Sequence, residues 1–560
     1  MKYPVAIVAF LMVAASLLLT VSGVHATGYQ HDPNASLSGP SGILVSNGIS
    51  GMNAEVVQYY DSTSGYLYEA WIANYSIGFA RSSDGGNTFG SIQLVPGSRA
   101  AFPAYSWDPA LAVSPNGTVV VSFMHEYSNR SISPVVDFSF NHGSTFPVSS
   151  IVVPESNTTF SDRDYVAVAP NGTVYVTWNF APYASMVGIV CPPGDSCYYS
   201  SGDFNGMISH SSDLGKSWST PAPFSPGYPY GGMVAAPITV SSNGTIMILY
   251  EDYNVTASHN LLDGYNYFIE STNGGVNWSN RVMVGSGHGY LPSTNWWIDG
   301  DISLSSSGTI YATYDTYRGG VDVPFLSYST DNGATWSTVQ VAPSNSNAFH
   351  ITQPASGPNG TVLVAWVTEA GSLGLSPYAR IFSTQSGQFI TPVEKMSSGY
   401  GNSHVWGGDT IGVSFLNGNT VGVSWGQDSV GSPNSEIYFS SMTFYNVSFN
   451  EKGLPSNTTW NVSLSGSDFT SQSGSLSIML PSGNYSAYPA SSNKSYAATS
   501  SPIDFSVTGS SQEIPVNFKQ ASTPVSPGPP DYTLYAAIAA VVAAAALLAY
   551  ILLYRRKAGK

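Results

Sequence analysis

Apolar and polar residues alternate along most of this chain, in short runs that start at a turn and end at an aromatic residue. The clearest are N-G-T-V-V-V-S-F from Asn116, N-G-T-V-Y-V-T-W from Asn171 and N-G-T-I-M-I-L-Y from Asn243. S-G-T-I-Y-A-T-Y from Ser307, N-G-T-V-L-V-A-W from Asn359 and a looser N-G-N-T-V-G-V-S-W from Asn417 continue the series, which S-G-Y-L-Y-E-A-W from Ser64 begins. A turn followed by a period-two run rich in β-branched residues predicts a strand entered from a tight turn. The closing aromatics Trp71, Phe123, Trp178, Tyr250, Tyr314, Trp366 and Trp425 mark seven such units.

A second pattern lies between them. Ser329–Trp336 reads S-T-D-N-G-A-T-W, with copies at Ser82–Phe89, Ser139–Phe146, Ser211–Trp218 and Ser271–Trp278, and an eroded one, S-T-Q-S-G-Q-F, at Ser383–Phe389. A short carboxylate or amide accepts backbone N–H bonds inside a tight turn, glycine takes positive φ, and the aromatic buries the hairpin end. One strand precedes each N-G turn and one lies on either side of the second motif, so each unit holds four antiparallel strands. The expectation is an all-β chain with a seven-bladed β-propeller over residues 41–445. The seventh unit lacks the second motif and is one strand short. Gly42–Ser46, G-I-L-V-S, is expected to supply that strand and close the ring.

The flanks read differently. Lys2, the apolar run Val5–Val21 and Val24-His25-Ala26 form a secretory signal peptide over residues 1–26. Residues 446–520 carry F-N-E-K-G-L-P-S-N-T-T-W from Phe449 and two later alternating runs, which predicts a small β-sandwich module. It resembles modules beside the membrane in surface proteins of thermoacidophilic archaea, and the resemblance implies a spacer. Residues 521–532 are a Pro-rich linker. Residues 533–554 have no charge and span roughly 33 Å as a helix, enough to cross a membrane. Arg555, Arg556 and Lys557 place residues 555–560 in the cytoplasm. The expected topology is a single-pass cell-membrane protein with its N-terminal domains outside.

Composition supports that picture. Only 9 % of the 560 residues are charged, and the net charge of −16 excludes a nucleic-acid partner, which needs a basic face. Protonating every carboxylate leaves 17 Lys and Arg and 9 His, so self-repulsion in acid stays modest and acid tolerance is expected. Fifteen N-x-S/T sequons between Asn34 and Asn493 suit an exported glycoprotein. Cys191 and Cys197, in C-P-P-G-D-S-C, suit a local disulfide better than a metal site, which wants more ligands.

Strand parity locates the chemistry. The first-to-second and third-to-fourth turns of a four-stranded blade share one face, and both are short here. The opposite, open face receives the long loops after Trp178, at Glu251 and at Gly285, together with the start of each innermost strand. Counting eight residues back from each turn gives Asp108, Arg163, Asp299 and, with one residue of slack, Asp409. Asp162, Asp164, Asp301, Trp107, Trp297, His350 and Trp406 flank them. Carboxylates that hold hydroxyls or act as acid and base, beside aromatic faces, fit a sugar site; Asp108, Asp299 and Asp409 are the catalytic candidates and the others, with Arg163 and Arg318, the binding ones. No cofactor is called for, although the same oxygen ligands suit Ca²⁺.

The S-x-D-x-G-x-x-W motif resembles the Asp box, or BNR repeat, of the sialidase superfamily. The resemblance implies a glycan-acting propeller whose sialidase members grip the sugar carboxylate with three arginines. The F/Y-R-I-P motif that would carry one of these is absent before the first box, and Arg99, in S-R-A-A-F-P, follows that box. Of the seven propeller arginines, parity sends Arg163 and Arg318 to the open face, so no triad is assignable. Three readings follow: a surface propeller that binds glycans or glycoproteins, a glycoside hydrolase using open-face carboxylates, and a structural envelope protein.

Overall fold

The turn chemistry of the two repeats is what organises the chain. In the computed structural model, residues 42–521 are described except 100–103, 191–197, 230–235, 256–260, 285–299, 344–347, 370–374, 398–406, 429–433 and a few shorter stretches. Seven antiparallel sheets each hold four strands in up-and-down order, and two of them carry an extra short strand. The innermost strands are Asn53–Asp61, Tyr105–Val113, Phe160–Val168, Ile238–Val240, Asp301–Leu304, Ala348–Ser356 and Gly412–Asn417. Each touches the innermost strands of both neighbouring sheets, and the first touches the seventh, so the sheets stand as blades in a closed ring. Ile43–Leu44 supplies the fourth strand of blade 7, pairing with Phe439 and Tyr438 as anticipated.

The N-G turns are held by their own side chains. In blade 2 the Asn116 amide oxygen and Ser114 hydroxyl both accept the Thr118 N–H, and Gly117 sits at φ +83°. Ser241, Asn243 and Thr245 repeat the arrangement in blade 4. The Asp boxes are equally regular. In the box at Ser329–Trp336, the Ser329 hydroxyl donates to Asp331 and accepts from Gly333 N, while Asp331 accepts from the Thr335 amide and hydroxyl. Four fully formed bonds in seven residues explain why the motif recurs almost unchanged.

The closing aromatic does more than cover its own hairpin, where Trp336 Nε1 donates to Gly333 O at 3.0 Å. It also seals the boundary between blades. Phe146 of blade 2 lies edge-on to Phe79 of blade 1 at 5.0 Å, Trp336 of blade 5 against Phe268 of blade 4 at 5.5 Å, and Phe89 of blade 1 against Phe439 of blade 7 at 5.5 Å. The box glycines lie under the same rings: a Cβ on Gly333 would come within 2.1 Å of Phe268, and one on Gly143 within 2.3 Å of Phe79. Further inward, a hydroxyl just before each closing aromatic often ties one blade to the next. Thr177 donates to Ala236 O at 2.8 Å, Thr313 to Thr352 O at 2.5 Å and Ser424 to Gln58 at 2.7 Å.

Residues Tyr445–Gln520 form two further four-stranded sheets around one core that includes Trp460, Phe449, Ile478 and Phe518. Their signature is structural: Glu451 accepts the Leu454 N–H at 2.7 Å, Gly453 takes φ +103°, and Trp460 Nε1 donates to Ser473 O at 2.7 Å. This module is seated on the propeller. It meets the eroded sixth box, where Gln388 donates to Thr470 O at 3.1 Å and accepts from Thr470, and Met479 N donates to Ile390 O at 2.6 Å. The Met479 side chain joins the apolar cluster of blades 6 and 7. Replacing Met479 with Asp would put a charge into that contact, at a cost of about 1–3 kcal/mol. The expected outcome is a larger scattering radius with both cores still folded; an unchanged radius would refute the docking.

The segments read as signal peptide, Pro-rich linker, membrane helix and basic tail lie outside the described residues, as do Cys191 and Cys197. Among the described residues no helix is long and apolar enough to cross a membrane.

Candidate functional site

The start of the innermost strand departs from regular β geometry in blades 1, 2 and 3. Its pairing with the second strand skips between Ala54 and Val57, between Trp107 and Ala110, and between Asp162 and Tyr165. The residue at each bulge has positive φ: Glu55 at 54°, Asp108 at 49° and Arg163 at 56°. These three are structurally equivalent, because each lies two residues before the partner of the residue preceding the closing aromatic (Val57 with Ala70, Ala110 with Ser122, Tyr165 with Thr177). A left-handed bulge re-aims a side chain and leaves its amide out of the ladder. Here those amides find partners on neighbouring blades.

The bonds close into a circuit. Glu55 N donates to Gly407 O of blade 7 at 3.2 Å. Asp108 N donates to Glu55 Oε2 at 3.2 Å, and Arg163 N donates to Asp108 Oδ2 at 2.9 Å. The Arg163 guanidinium then pairs with Asp409 Oδ2, back on the blade 7 side. Gly408 permits the close approach: its φ is +103°, and a Cβ there would sit 2.1 Å from Glu55 N. Beside the circuit, Trp107 Nε1 donates to Asp162 Oδ1 at 2.5 Å, and the Trp107 ring lies 4.7 Å from that of Tyr105.

This circuit stands at a cavity of about 480 Å³ on the ring axis, lined by all seven innermost strands. Glu55, Asp108, Arg163, Asp164 and Asp301 line it, and its other lining residues include Val113, Val168, Leu304 and Phe415. Asp164 is 3 % exposed and neither of its oxygens has a hydrogen-bond partner of regular geometry. Burial holds its carboxyl well above the usual carboxylate range, with the adjacent Ser122 hydroxyl offsetting part of the effect. Burial, then the Asp108 charge, raises Glu55 and Asp162 likewise. Asp301 is pushed up to about 7 by burial, although it accepts the Ile302 N–H.

A stability profile follows. Burial also lifts Glu69, behind the axis, to about 8 and Glu394 to about 7. The folded state holds these protons more tightly than the unfolded chain does. Their contribution is therefore complete below the ordinary carboxylate range, near pH 4, and is lost as pH rises through 7 to 8. The exposed Asp84, Asp213 and Asp331 are lowered to about 2, the Thr88, Ser217 and Thr335 hydroxyls of their boxes being the largest cause. Their contribution is present above pH 4 and lost between about 4 and 2. The melting temperature is expected to peak at about pH 4–5 and to fall by about 5 °C or more by pH 8. Calorimetry showing a maximum at neutral pH would overturn this.

Asp108, Arg163, Asp164 and Asp301 thus stand in one cavity wall, with Asp162 beside Trp107 and Asp409 behind Arg163. Asp409 is displaced by one position: Gly412 pairs with Ser424, the residue before Trp425, so Thr410 stands at the level of Asp108. The cause is the register shift between Phe415 and Asn417, which takes up an extra residue near the turn. His350 lies in the strand Ala348–Ser356 and Arg318 ends the strand Ile310–Arg318. Asp299, Trp297 and Trp406 lie outside the described residues.

Two features escaped the sequence reading. Glu55 was missed because eight residues back from Ser64 falls on Val56; the strand Asn53–Asp61 runs into a longer turn, whose Gly65 N bonds Asp61 O. Arg130 also belongs to the open face, because it sits in the turn between the second and third strands of blade 2, where it pairs with Glu126 at 2.7 Å. Among the described residues no group of three His, Cys, Asp or Glu is placed to hold a metal ion.

No family model and no curated protein matches the chain. Among solved structures it is similar to an ulvan lyase, a polysaccharide lyase, at 10 % identity over 72 % of this chain and 95 % of that one, with a TM-score of 0.46. A leech intramolecular trans-sialidase is similar at 10 % identity over 73 % and 94 %, with a TM-score of 0.40. A Hadza microbial sialidase is similar at 13 % identity over 67 % and 76 %, with a TM-score of 0.39. The likeness is distant and concerns the fold.

Proposed function

We propose that this chain is a cell-surface, membrane-anchored propeller that binds extracellular glycans or glycoproteins at its open face. The observation that carries the reading is the axial cavity, into which several blades send carboxyl groups at one end. Its volume suits a small ligand, and its polar groups are few, convergent and held in place by bonds between blades. Glycan-array binding by the intact chain without product release is the expected result. Loss of that binding in Asp108→Asn, with the melting temperature kept, would place the ligand at this end of the cavity. Absence of binding to any glycan would leave the structural-envelope reading.

A hydrolase reading has one observation in its favour. Asp301, at about 7, holds its proton near neutrality, as a general acid must. In that reading Asp108, Asp299 and Asp409 are the further carboxylates proposed for catalysis. Turnover that survives Asp301→Asn and Asp108→Asn would dismiss it.

A further inference from the structure

Blade 1 departs from a pattern that the other six keep. Two residues before the closing aromatic, blades 2 to 7 carry Val121, Val176, Ile248, Ala312, Val364 and Val423, all fully buried. Each lies in the apolar cluster that joins its blade to the preceding one. Blade 1 has Glu69 there, also 0 % exposed. Its neighbours on the same strand face, Leu67 and Trp71, belong to the cluster between blades 1 and 7, with Leu416, Ile437 and Phe439. The carboxyl therefore sits inside the seam where the ring closes.

Donor accounting places a proton on it. The Ser424 hydroxyl of blade 7 is in bonding contact with two acceptors, Gln58 Oε1 at 2.7 Å and Glu69 Oε1, and has one hydrogen to give. A protonated Glu69 resolves the conflict. It donates to Ser424, Ser424 donates to Gln58, and Gln58 Nε2 donates to Gly422 O of blade 7 at 3.4 Å. Glu69 Oε2 has no donor, which a buried carboxylate would need. Burial accordingly pushes the group up to about 8, with the Ser424 bond offsetting part of the effect. Within blade 1 it is flanked by Gln58 and Ala80; from blade 7 it meets Ser424 and the apolar cluster, on which Tyr60 also packs. The other carboxyls of the seam are engaged elsewhere, Glu55 in the axial circuit and Glu436 as acceptor of the Ser46 hydroxyl.

We propose that Glu69 is a proton latch: the neutral carboxyl holds blades 1 and 7 together, and its ionisation opens the ring at this seam while the other blade boundaries stay shut. The sign follows from linkage. An opened seam exposes Glu69 to water, where it ionises in the ordinary carboxylate range. Closure is therefore fully supported below about pH 4 and progressively lost as pH rises to about 8. The latch reaches the axial circuit, because Glu55 N bonds Gly407 O across the same seam at 3.2 Å. Hydrogen exchange of the full-length chain, read at single amides and corrected for intrinsic rates, tests this at about pH 5 and about pH 8.5. The Asn53 and Glu55 amides, which bond Ser435 Oγ and Gly407 O, cross the seam. Ser356 N, which bonds Ser303 Oγ at 2.9 Å, crosses the boundary of blades 5 and 6. Protection at the seam is expected to fall about tenfold or more at the higher pH, and protection at Ser356 to change by less than about threefold. Glu69→Gln, which keeps a donor for Ser424 and cannot ionise, should abolish the fall. Glu69→Val, which installs the residue most other blades carry there, should do the same and serves if thermal melts show Glu69→Gln misfolded. Seam protection that holds at the higher pH, that falls no further than at Ser356, or that still falls in the variants would overturn the latch.

Discussion

Gly333→Ala is expected to destabilise the propeller by about 3 kcal/mol, whereas Gly387→Ala, the same change in the eroded sixth box, is expected to cost about 1 kcal/mol. Both glycines have positive φ, +82° and +66°, so an alanine meets a similar backbone penalty at either. What differs is the neighbouring blade. The Cβ of Ala at 333 would fall 2.1 Å from the Phe268 ring, which is backed by Trp336 and the core of blades 4 and 5. At 387 there is open space. Gly275, whose nearest neighbour from the preceding blade is Ile208 at 3.9 Å, should behave like Gly387. Thermal melts of the three variants separate the contributions. Equal losses would show that the boxes need glycine for backbone conformation alone and that the ring contact adds nothing.

The second large effect concerns the charged pair at the axis. Asp409→Ala is expected to cost about 3 kcal/mol, because it strips the counter-charge from a guanidinium that is 5 % exposed. Arg163→Met leaves a carboxylate with more access to water, 12 % exposed, and should cost less. The double variant should be more stable than the sum of the two losses implies, by about 2 kcal/mol or more. Additive losses in denaturant melts would mean that the pair is electrostatically idle. Since Arg163 N also closes the Asp108 bond, the same cycle repeated in Asp108→Asn would show whether the circuit acts as a unit.

The contrast between these two predictions shows what the sequence made legible. Asp boxes and N-G turns satisfy their own backbone groups within five residues, so spacing alone exposes them, and with them the seven blades and the closing strand at Ile43–Leu44. The axial circuit joins residues 53, 55 and 246 positions apart, through two amides freed by bulges and the Arg163 guanidinium. A bulge adds one residue and leaves no compositional trace. Counting back from a turn therefore succeeded at Asp108 and Arg163, slipped by one at Asp409 and passed over Glu55. The aromatic of each box was legible as buried, but not that its neighbour is the preceding blade, since a period-two pattern is silent about which sheet comes alongside.

The join between propeller and module bears on mechanics. The third strand of blade 7, Ser435–Thr443, runs into the first module strand, Tyr445–Lys452, with a single residue between them, and Phe444 at that point is fully buried. A pull applied through the C-terminal end therefore reaches the one strand that also carries the ring's clasp, a pairing of two residues with Ile43–Leu44. The module's seat on blade 6, through Gln388 and Met479, offers a second route that diverts load away from that clasp. In the sheared chain the seat should yield before the ring, making the sixth box, which lost its aspartate, the shock absorber of the molecule.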